Sequence, residues 1–331
     1  MPAPARNAET DQRRLSMLRS ACDGAVRAAL DASDVIEILA NPDGSIWIER
    51  AGRGIDIDPS TITAAARERI IRLVASSIGE ACDRSAPIIS AELTGSGERF
   101  EGLLPPVSEA PCFAIRKPAT VPFTLDDYVK QGALAPATAA ALQEALTSRA
   151  NILIAGGTSS GKTTFTNALL AESALSEDRV VILEDTRELK CAAPNAVSLR
   201  THRGRVELTD LVRSTMRLRP DRIIVGEVRG PEALDLIKAW NTGHPGGITT
   251  LHANSAHAAL QRLEHLAMEA ATTPPRALIG EAIDVVLFMT RQGGQRRIDE
   301  ALSVVGFDGD AYITAPLTAP QLSLVNQGDM K

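Results

Sequence analysis

The spacing of apolar residues divides the chain into two regimes. Up to about residue 117 helical and strand periods are mixed. Leu15, Leu18, Cys22, Ala25 and Ala29 recur at helical spacing, as do Ile70, Ile71, Val74 and Ile78, which predicts helices over 13–31 and 60–82. Between them, β-rich runs at 35–39 and 45–49 flank Asn41-Pro42-Asp43-Gly44, a hairpin signal. Three more strands are predicted at 87–93, 98–104 and 112–117. Residues 1–117 therefore read as a small α+β domain with an antiparallel sheet. Pro118 and Pro122 mark residues 118–135 as a linker, because proline restricts both itself and the residue before it. Within it, Thr124 followed by Asp126 and Asp127 suits the cap of a short helix, and an Ala/Leu-rich helix is predicted over 135–148.

From residue 150 short apolar runs alternate with helical segments. The runs lie at 151–155, 180–183, 196–199, 222–225 and 247–251, and late strands are predicted at 284–290 and 297–306. This pattern predicts a mainly parallel sheet covered by helices, in a domain spanning 136–310. The helix predicted at 256–270 turns Ala259, Leu260, Leu263, Leu266 and Ala267 inward. Residues 311–331, with prolines and no period, read as a loose tail. The fold class expected is α/β.

Composition narrows the function. A chain of 331 residues suits two domains. Aromatic residues are only 3%, so the core must be aliphatic and there is little to stack nucleic-acid bases on. With a net charge of -6, no global field draws the chain to DNA, and direct nucleic-acid binding is not expected. Cys22, Cys82, Cys112 and Cys191 are far apart and form no CxxC pair, which argues against a disulfide framework or zinc knuckle and fits a reducing compartment. The start of the chain has no apolar leader region, and no run reaches 18 apolar residues. The expected location is the cytoplasm, with peripheral attachment to a membrane complex left open.

Chemistry concentrates first at residues 151–164, Asn-Ile-Leu-Ile-Ala-Gly-Gly-Thr-Ser-Ser-Gly-Lys-Thr-Thr. This is G-x-x-x-x-G-K-[ST] between a predicted buried strand and a predicted helix. Gly156, Gly157 and Gly161, with Thr158, Ser159 and Ser160 between them, let backbone N–H groups wrap a phosphate. The helix that begins with Lys162, Thr163 and Thr164 adds its positive end. Lys162 is placed to reach the β and γ phosphates, and Thr163 to ligate Mg²⁺. The expected ligands are ATP and Mg²⁺. No NKxD or TKxD guanine-reading sequence is present.

Acids follow at the ends of two predicted strands. The run 180–183 leads into Glu184-Asp185-Thr186-Arg187-Glu188, and Pro220-Asp-Arg-Ile-Ile-Val-Gly leads into Glu227. Carboxylates at the C-terminal edge of a parallel strand face the ligand crevice. Glu227 is the candidate general base for water, and Glu184 and Glu188 are candidates to hold Mg²⁺-bound waters. Residues 200–229 also hold eight arginines: Arg200, Arg203, Arg205, Arg213, Arg217, Arg219, Arg222 and Arg229. Some would clamp phosphate and most would form ion pairs on a surface or interface. Arg213 and Arg217 share a helix face. His244, His252, His257 and His265 match no zinc spacing. His252, at the end of a strand, is the candidate to sense the γ-phosphate.

The order of these boxes resembles the secretion and traffic ATPases of type II secretion, type IV secretion and type IV pili. The matching pieces are residues 156–163, the acidic box 182–188, the box 217–229 and the histidine box 243–254. Three further stretches resemble the TrbB-type conjugative-transfer branch: Gly97-Glu-Arg-Phe-Glu-Gly-Leu-Leu-Pro-Pro106 with Phe113-Ala-Ile-Arg-Lys117, Phe123-Thr-Leu-Asp-Asp-Tyr-Val129, and Lys238-Ala-Trp-Asn-Thr-Gly-His-Pro-Gly-Gly247. The resemblance spans roughly residues 30–308. It implies a PAS-like N-terminal domain, a RecA-like ATPase domain and a hexameric ring at the cytoplasmic face of the inner membrane, working with the secretion machinery there. It also implies nucleotide bound between the domains, with Arg99 and Arg116 reaching it from the N-terminal side, and hydrolysis driving pilus assembly and DNA transfer. Of the surplus arginines near the proposed site, Arg217 is the candidate to contribute to catalysis. One departure is Ser159, where such relatives more often have glycine. Alternatives are an ATPase for pilus or type II secretion assembly, a nucleotide-gated scaffold with little turnover, and a motor gripping nucleic acid directly.

Overall fold

Strand alternation and helix caps set the boundaries of the first elements. The computed structural model describes residues 17, 20–22, 24–93, 97–118, 123–202, 204–292 and 295–317. The chain divides into two compact units, residues 1–120 and 121–331. In the first, α1 (Gly24–Asp31), β1 (Val35–Ala40), β2 (Ser45–Arg50), β3 (Gly54–Thr61), α2 (Ala64–Ser77), β4 (Ile88–Glu92), β5 (Arg99–Leu103) and β6 (Cys112–Arg116) follow in order. The six strands run antiparallel in the order β3-β2-β1-β6-β5-β4. Ile38, Ile46, Ile48, Phe100, Phe113 and Ile115 form its buried side, in one cluster with Val26 of α1 and Ile70, Ile71 and Val74 of α2. The β1–β2 turn is closed by Asp43, whose carboxylate accepts the Ser45 N–H at 2.8 Å, with Gly44 at φ 93°. Trp47, half-buried on β2, donates from Nε1 to Ser45 Oγ at 3.2 Å.

Strand β3 departs from the sequence expectation, which began a helix at residue 60. Residues 54–61 pair with β2 instead, and α2 begins only after Thr63, whose hydroxyl accepts the Ala66 N–H at 3.2 Å. The alternation of Ile55 and Ile57 is a strand signal that points outward: the two are 49% and 57% exposed. The first part of the helix expected over 13–31 lies largely outside the described residues.

The second unit opens inside the segment read as a linker. Thr124 and Asp127 cap α3 (Leu125–Lys130) reciprocally, and α4 (Pro136–Thr147) starts with proline in its first turn. Then come β7 (Ile152–Gly156), α5 (Lys162–Leu170), β8 (Val180–Glu184), β9 (Ala196–Arg200), α6 (Leu208–Thr215), β10 (Arg222–Val225), α7 (Glu232–Asn241), β11 (Ile248–Leu251), α8 (Ala256–Ala267), α9 (Arg276–Ala282), β12 (Val285–Gln292), β13 (Gln295–Phe307) and β14 (Tyr312–Pro316). The sheet order is β14-β13-β12-β7-β11-β10-β8-β9. From β12 to β9 every neighbouring pair is parallel. Strands β7, β8 and β10 are buried on both faces, because each face carries a core. Leu153, Val181 and Ile223 cluster with residues of α6, α7 and α8. Ile152, Ile154, Val180 and Ile182 cluster with residues of α4 and α5. Trp240 of α7 is buried and donates from Nε1 to Ile223 O at 3.1 Å. Gly247 faces that indole so closely that a Cβ there would lie 2.1 Å from it.

The tail expected to be loose from 311 is ordered through Pro316. Asp308 accepts the N–H groups of Asp310 and Ala311 at 2.9 and 2.8 Å, which turns the chain, and β14 pairs antiparallel with β13. Pro316 falls at the end of an edge strand, where a missing N–H costs no ladder bond. Residues 318–331 lie outside the described residues.

One arginine from the Arg-rich window is structural. Arg222, at the start of β10, is 1% exposed. Its Nε bonds Asp178, its Nη2 donates to Leu146 O at 2.8 Å, and the other Asp178 oxygen takes Arg149. A buried pair tolerates the loss of one partner poorly, because the survivor is left charged and unsolvated. Asp178→Ala is expected to lower stability by about 3–5 kcal/mol in urea unfolding followed by circular dichroism. Arg213→Ala, which removes an exposed pair with Asp235, is expected to cost less than about 1 kcal/mol in the same measurement.

Candidate active site

Strand β7 ends at Gly156, and the chain must turn sharply into α5. A Cβ on Gly156 would lie 2.6 Å from both Met289 O and Ser160 Oγ, and Gly161 has φ 99° with Arg296 Cδ 2.8 Å from its would-be Cβ. Gly156 is required by space, because its neighbour is a backbone carbonyl, and Gly161 by its left-handed dihedral. Nothing crowds Gly157. Thr158 is exposed, Ser159 half-buried at φ 59°, and Ser160 buried. Lys162, 8% exposed, turns its ammonium back over the loop and donates to Gly156 O at 2.9 Å and Gly157 O at 3.1 Å. Thr163 and Thr164 stand half-buried on the first turn of α5.

At the end of β8, Glu184 is buried. Its Oε1 accepts the N–H groups of Glu188 at 2.8 Å and Leu189 at 2.9 Å, so this carboxylate closes the acidic loop on itself. Asn167 of α5 binds the same loop from the other side. Its Nδ2 donates to Glu188 O at 3.0 Å and its Oδ1 accepts the Lys190 N–H at 2.8 Å. Sequence reasoning missed Asn167, which carries no local signal beyond its place five residues after Lys162.

Beyond β10, Gly226 passes close to Glu184: a Cβ there would lie 3.1 Å from Glu184 Cγ. Thr250 of β11 fixes the turn, donating from its hydroxyl to Gly226 O at 2.8 Å and accepting the Val228 N–H at 2.9 Å. Glu227 is thereby held between two partners. Arg229 Nη2 donates to its Oε2 at 2.6 Å, and His252 Nε2 lies 3.0 Å from its Oε1. Arg229 also lies 3.7 Å from Asp185, and its hydrogen bond to Glu227 strengthens its hold on its proton. His252, just past β11, has Nδ1 3.5 Å from Lys162 Nζ. Partial burial first, and then the Lys162 charge, hold this imidazole below the ordinary histidine pKa, against the pull of Glu227. At neutral pH it is uncharged. Its Nε2 stands beside Glu227 Oε1, a buried oxygen without a hydrogen-bond partner.

Lys162, His252, Glu227 and Arg229 thus converge from β7, β11 and β10, three neighbouring strands. Glu184, Glu188 and Asn167 form an adjoining group at β8. Arg217 is not drawn in. It is exposed beyond the end of α6, and among the described residues no hydrogen bond or ion pair joins it to Lys162, His252 or Glu227. Arg203 lies outside the described residues. Arg99 and Arg116 belong to the first unit, directly opposite one another in the β5–β6 register. His244 donates from Nδ1 to Pro220 O at 3.0 Å and has a place in the scaffold. Arg296 reaches the loop from 137 positions away in sequence, which no local pattern could reveal.

Known proteins share this arrangement of sequence and fold. Residues 24–299 match the family described as Type II/IV secretion system protein. The chain is 50% identical over 288 residues to the conjugal transfer protein TrbB of Rhizobium radiobacter, covering 86% of this chain and 88% of that one. It is 48% identical over 302 residues to the probable conjugal transfer protein TrbB of Sinorhizobium fredii, covering 91% and 92%. Among solved structures, the Yersinia pseudotuberculosis ATPase DotB aligns over 93% of this chain and 84% of its own with a TM-score of 0.60. Its 18% identity makes that a likeness of fold alone, and the fold is the α/β, RecA-like one expected from the sequence. With its family's pattern matched over most of its length and TrbB proteins at about half identity, the chain belongs to the Type II/IV secretion system protein family.

Proposed function

We propose that this protein is a Mg²⁺-dependent ATPase that works as a hexameric ring to power pilus assembly and DNA transfer in a type IV secretion system. The observation that carries the reading is the convergence of Lys162, His252 and Glu227 from three adjacent strand ends. Kinship with TrbB conjugal transfer proteins supplies the context. No helix among the described residues is long and apolar enough to cross a membrane, which fits a motor docked on inner-membrane partners at the cytoplasmic face.

The loop suits a phosphate. Gly156 has no room for a side chain, Ser160 Oγ is buried without a hydrogen-bond partner, and Lys162 rests on two backbone carbonyls that phosphate oxygens can replace. Backbone N–H groups of residues 156–164 would cradle the β and γ phosphates. The Thr163 hydroxyl and a water on the second oxygen of Glu184 would hold Mg²⁺, which supplies charge neutralisation on the phosphates. Glu227 takes a proton from the attacking water. The oxygen placed to do so is Oε1, which is buried without a hydrogen-bond partner beside neutral His252, while Arg229 holds Oε2. Glu188 steadies the same water network. Arg99, Arg116 and Arg217 are proposed to bring further positive charge to the phosphates during turnover.

Steady-state ATP hydrolysis by the purified chain with Mg²⁺ is the primary test. Lys162→Ala should abolish turnover with the melting temperature retained, whereas near-normal turnover would remove the phosphate-loop reading. Glu227→Gln should still bind ATP but hydrolyse it about 10²-fold more slowly or worse. A larger loss in Glu188→Gln than in Glu227→Gln would move the base to the acidic loop. Acid should inactivate the enzyme with a midpoint below the ordinary histidine pKa, because protonating His252 puts a second cation beside Lys162 and ties up Glu227. His252→Asn should erase that acid limb. Finally, doping Lys162→Ala subunits into wild type should depress activity more than in proportion. A linear decline with a monomer in sedimentation would refute the ring.

A further inference from the structure

We infer that Arg296 is a positioning residue that holds the phosphate loop in its binding shape by gripping the Ser159 carbonyl. This rests on the reading of residues 156–164 as a phosphate site.

Ser159 is the loop's departure from the more usual glycine, and its φ of 59° lies in the left-handed region that glycine favours. A side chain there costs about 1–3 kcal/mol and persists only where its surroundings impose it. The surroundings are the β12–β13 hairpin. Strand β12 runs parallel to β7 with Met289 opposite Gly156, and the Met289 carbonyl stands where a Gly156 side chain would be. Strand β13 returns antiparallel with Arg296 opposite Arg291. The Arg296 stem covers Gly161, with Cδ 2.8 Å and Cγ 3.7 Å from the position of a Cβ there. From that seat Arg296 Nε donates to Ser159 O at 3.3 Å.

The effect passes through one peptide plane. In a trans peptide the Ser159 carbonyl and the Ser160 N–H point in opposite directions. Drawing the carbonyl toward Arg296 therefore aims the Ser160 N–H the other way, at Gly157 O, 3.4 Å distant. That same oxygen receives the Lys162 ammonium. The Ser160 N–H and Lys162 are in this way presented together, as a pair of donors on one side of the loop. Without the grip, Ser159 relaxes toward negative φ, the plane rotates, and the Ser160 N–H leaves the side that a phosphate would occupy.

The test is a double-mutant cycle between Arg296→Met, which keeps the stem over Gly161 but removes the donors, and Ser159→Gly, which removes the cost of the left-handed conformation. Wild type must first bind a fluorescent mant-ATP probe and hydrolyse ATP. Failure there would overturn the phosphate reading and this inference with it. Given binding, Arg296→Met should raise KM for ATP about 5- to 30-fold, the ratio that 1–2 kcal/mol corresponds to, with kcat changing by the smaller factor. In the Ser159→Gly background the same substitution should raise KM by less than about a third of that factor. Equal losses in both backgrounds would mean that Arg296 touches the nucleotide itself. A fall in melting temperature with no change in KM would mean that it only braces the hairpin. Either result would overturn the inference while leaving the ATPase reading intact. If Arg296→Met fails to fold, Arg296→Lys carries the same cycle, with a smaller expected rise in KM and the same collapse in the glycine background.

Discussion

The parallel ladder of β7, β11 and β10 decides where everything else can be. Leu251 pairs with Ala155 and Val225 with Thr249, so the chain leaves all three strands along one edge of the sheet. Nothing in the local sequence of residues 156–162 specifies that a glutamate 65 positions on and a histidine 90 positions on will stand beside Lys162. The register does. It also explains why these residues sit on turns: the strands are rigid and apolar on both faces, and only the residues just past their ends are free to carry charge.

The opposite edge of the same sheet has the complementary task, and it too is polar. Asn151, before β7, donates to Ala282 O at 2.7 Å and accepts the Gly247 N–H at 2.8 Å. Its own N–H goes to Asp284 at 2.7 Å. Burial pushes the Asp284 carboxyl up to about 6. With Asp178 and Arg222 these groups stitch the starts of four strands together. Each buried donor or acceptor has one satisfactory arrangement, so a slip of one residue would orphan several of them at once. One edge therefore fixes register with buried polar bonds, and the other carries the charged residues that this register brings together.

What the sequence made legible was what is local. The glycine turn from β7 into α5, the Thr124 cap, the β1–β2 hairpin and the doubly buried strands are each written within a dozen residues, and each is found where expected. The acidic loop was recognised too. Its internal construction was not, because Glu184 acts on backbone N–H groups and Asn167 on backbone atoms 21 and 23 positions away, where side-chain identity says nothing. Strand β3 went unread because its apolar alternation faces outward. Strand β14 was mistaken for a tail because prolines near its end masked a five-residue pairing. Arg222, from the same arginine-rich window as Arg217, is spent on the scaffold, because its guanidinium is buried against Asp178 and the Leu146 carbonyl.

The two tryptophans fall one to a unit: Trp47 half-buried on β2 of the first, Trp240 sealed against Gly247 in the second. Their surroundings differ enough that they should emit at different wavelengths, the partly wet indole to the red and the dry one to the blue. The chain thus carries a built-in optical label on each unit. Disturbing one unit alters one part of the spectrum, and the loosening of either can be followed without attaching a dye.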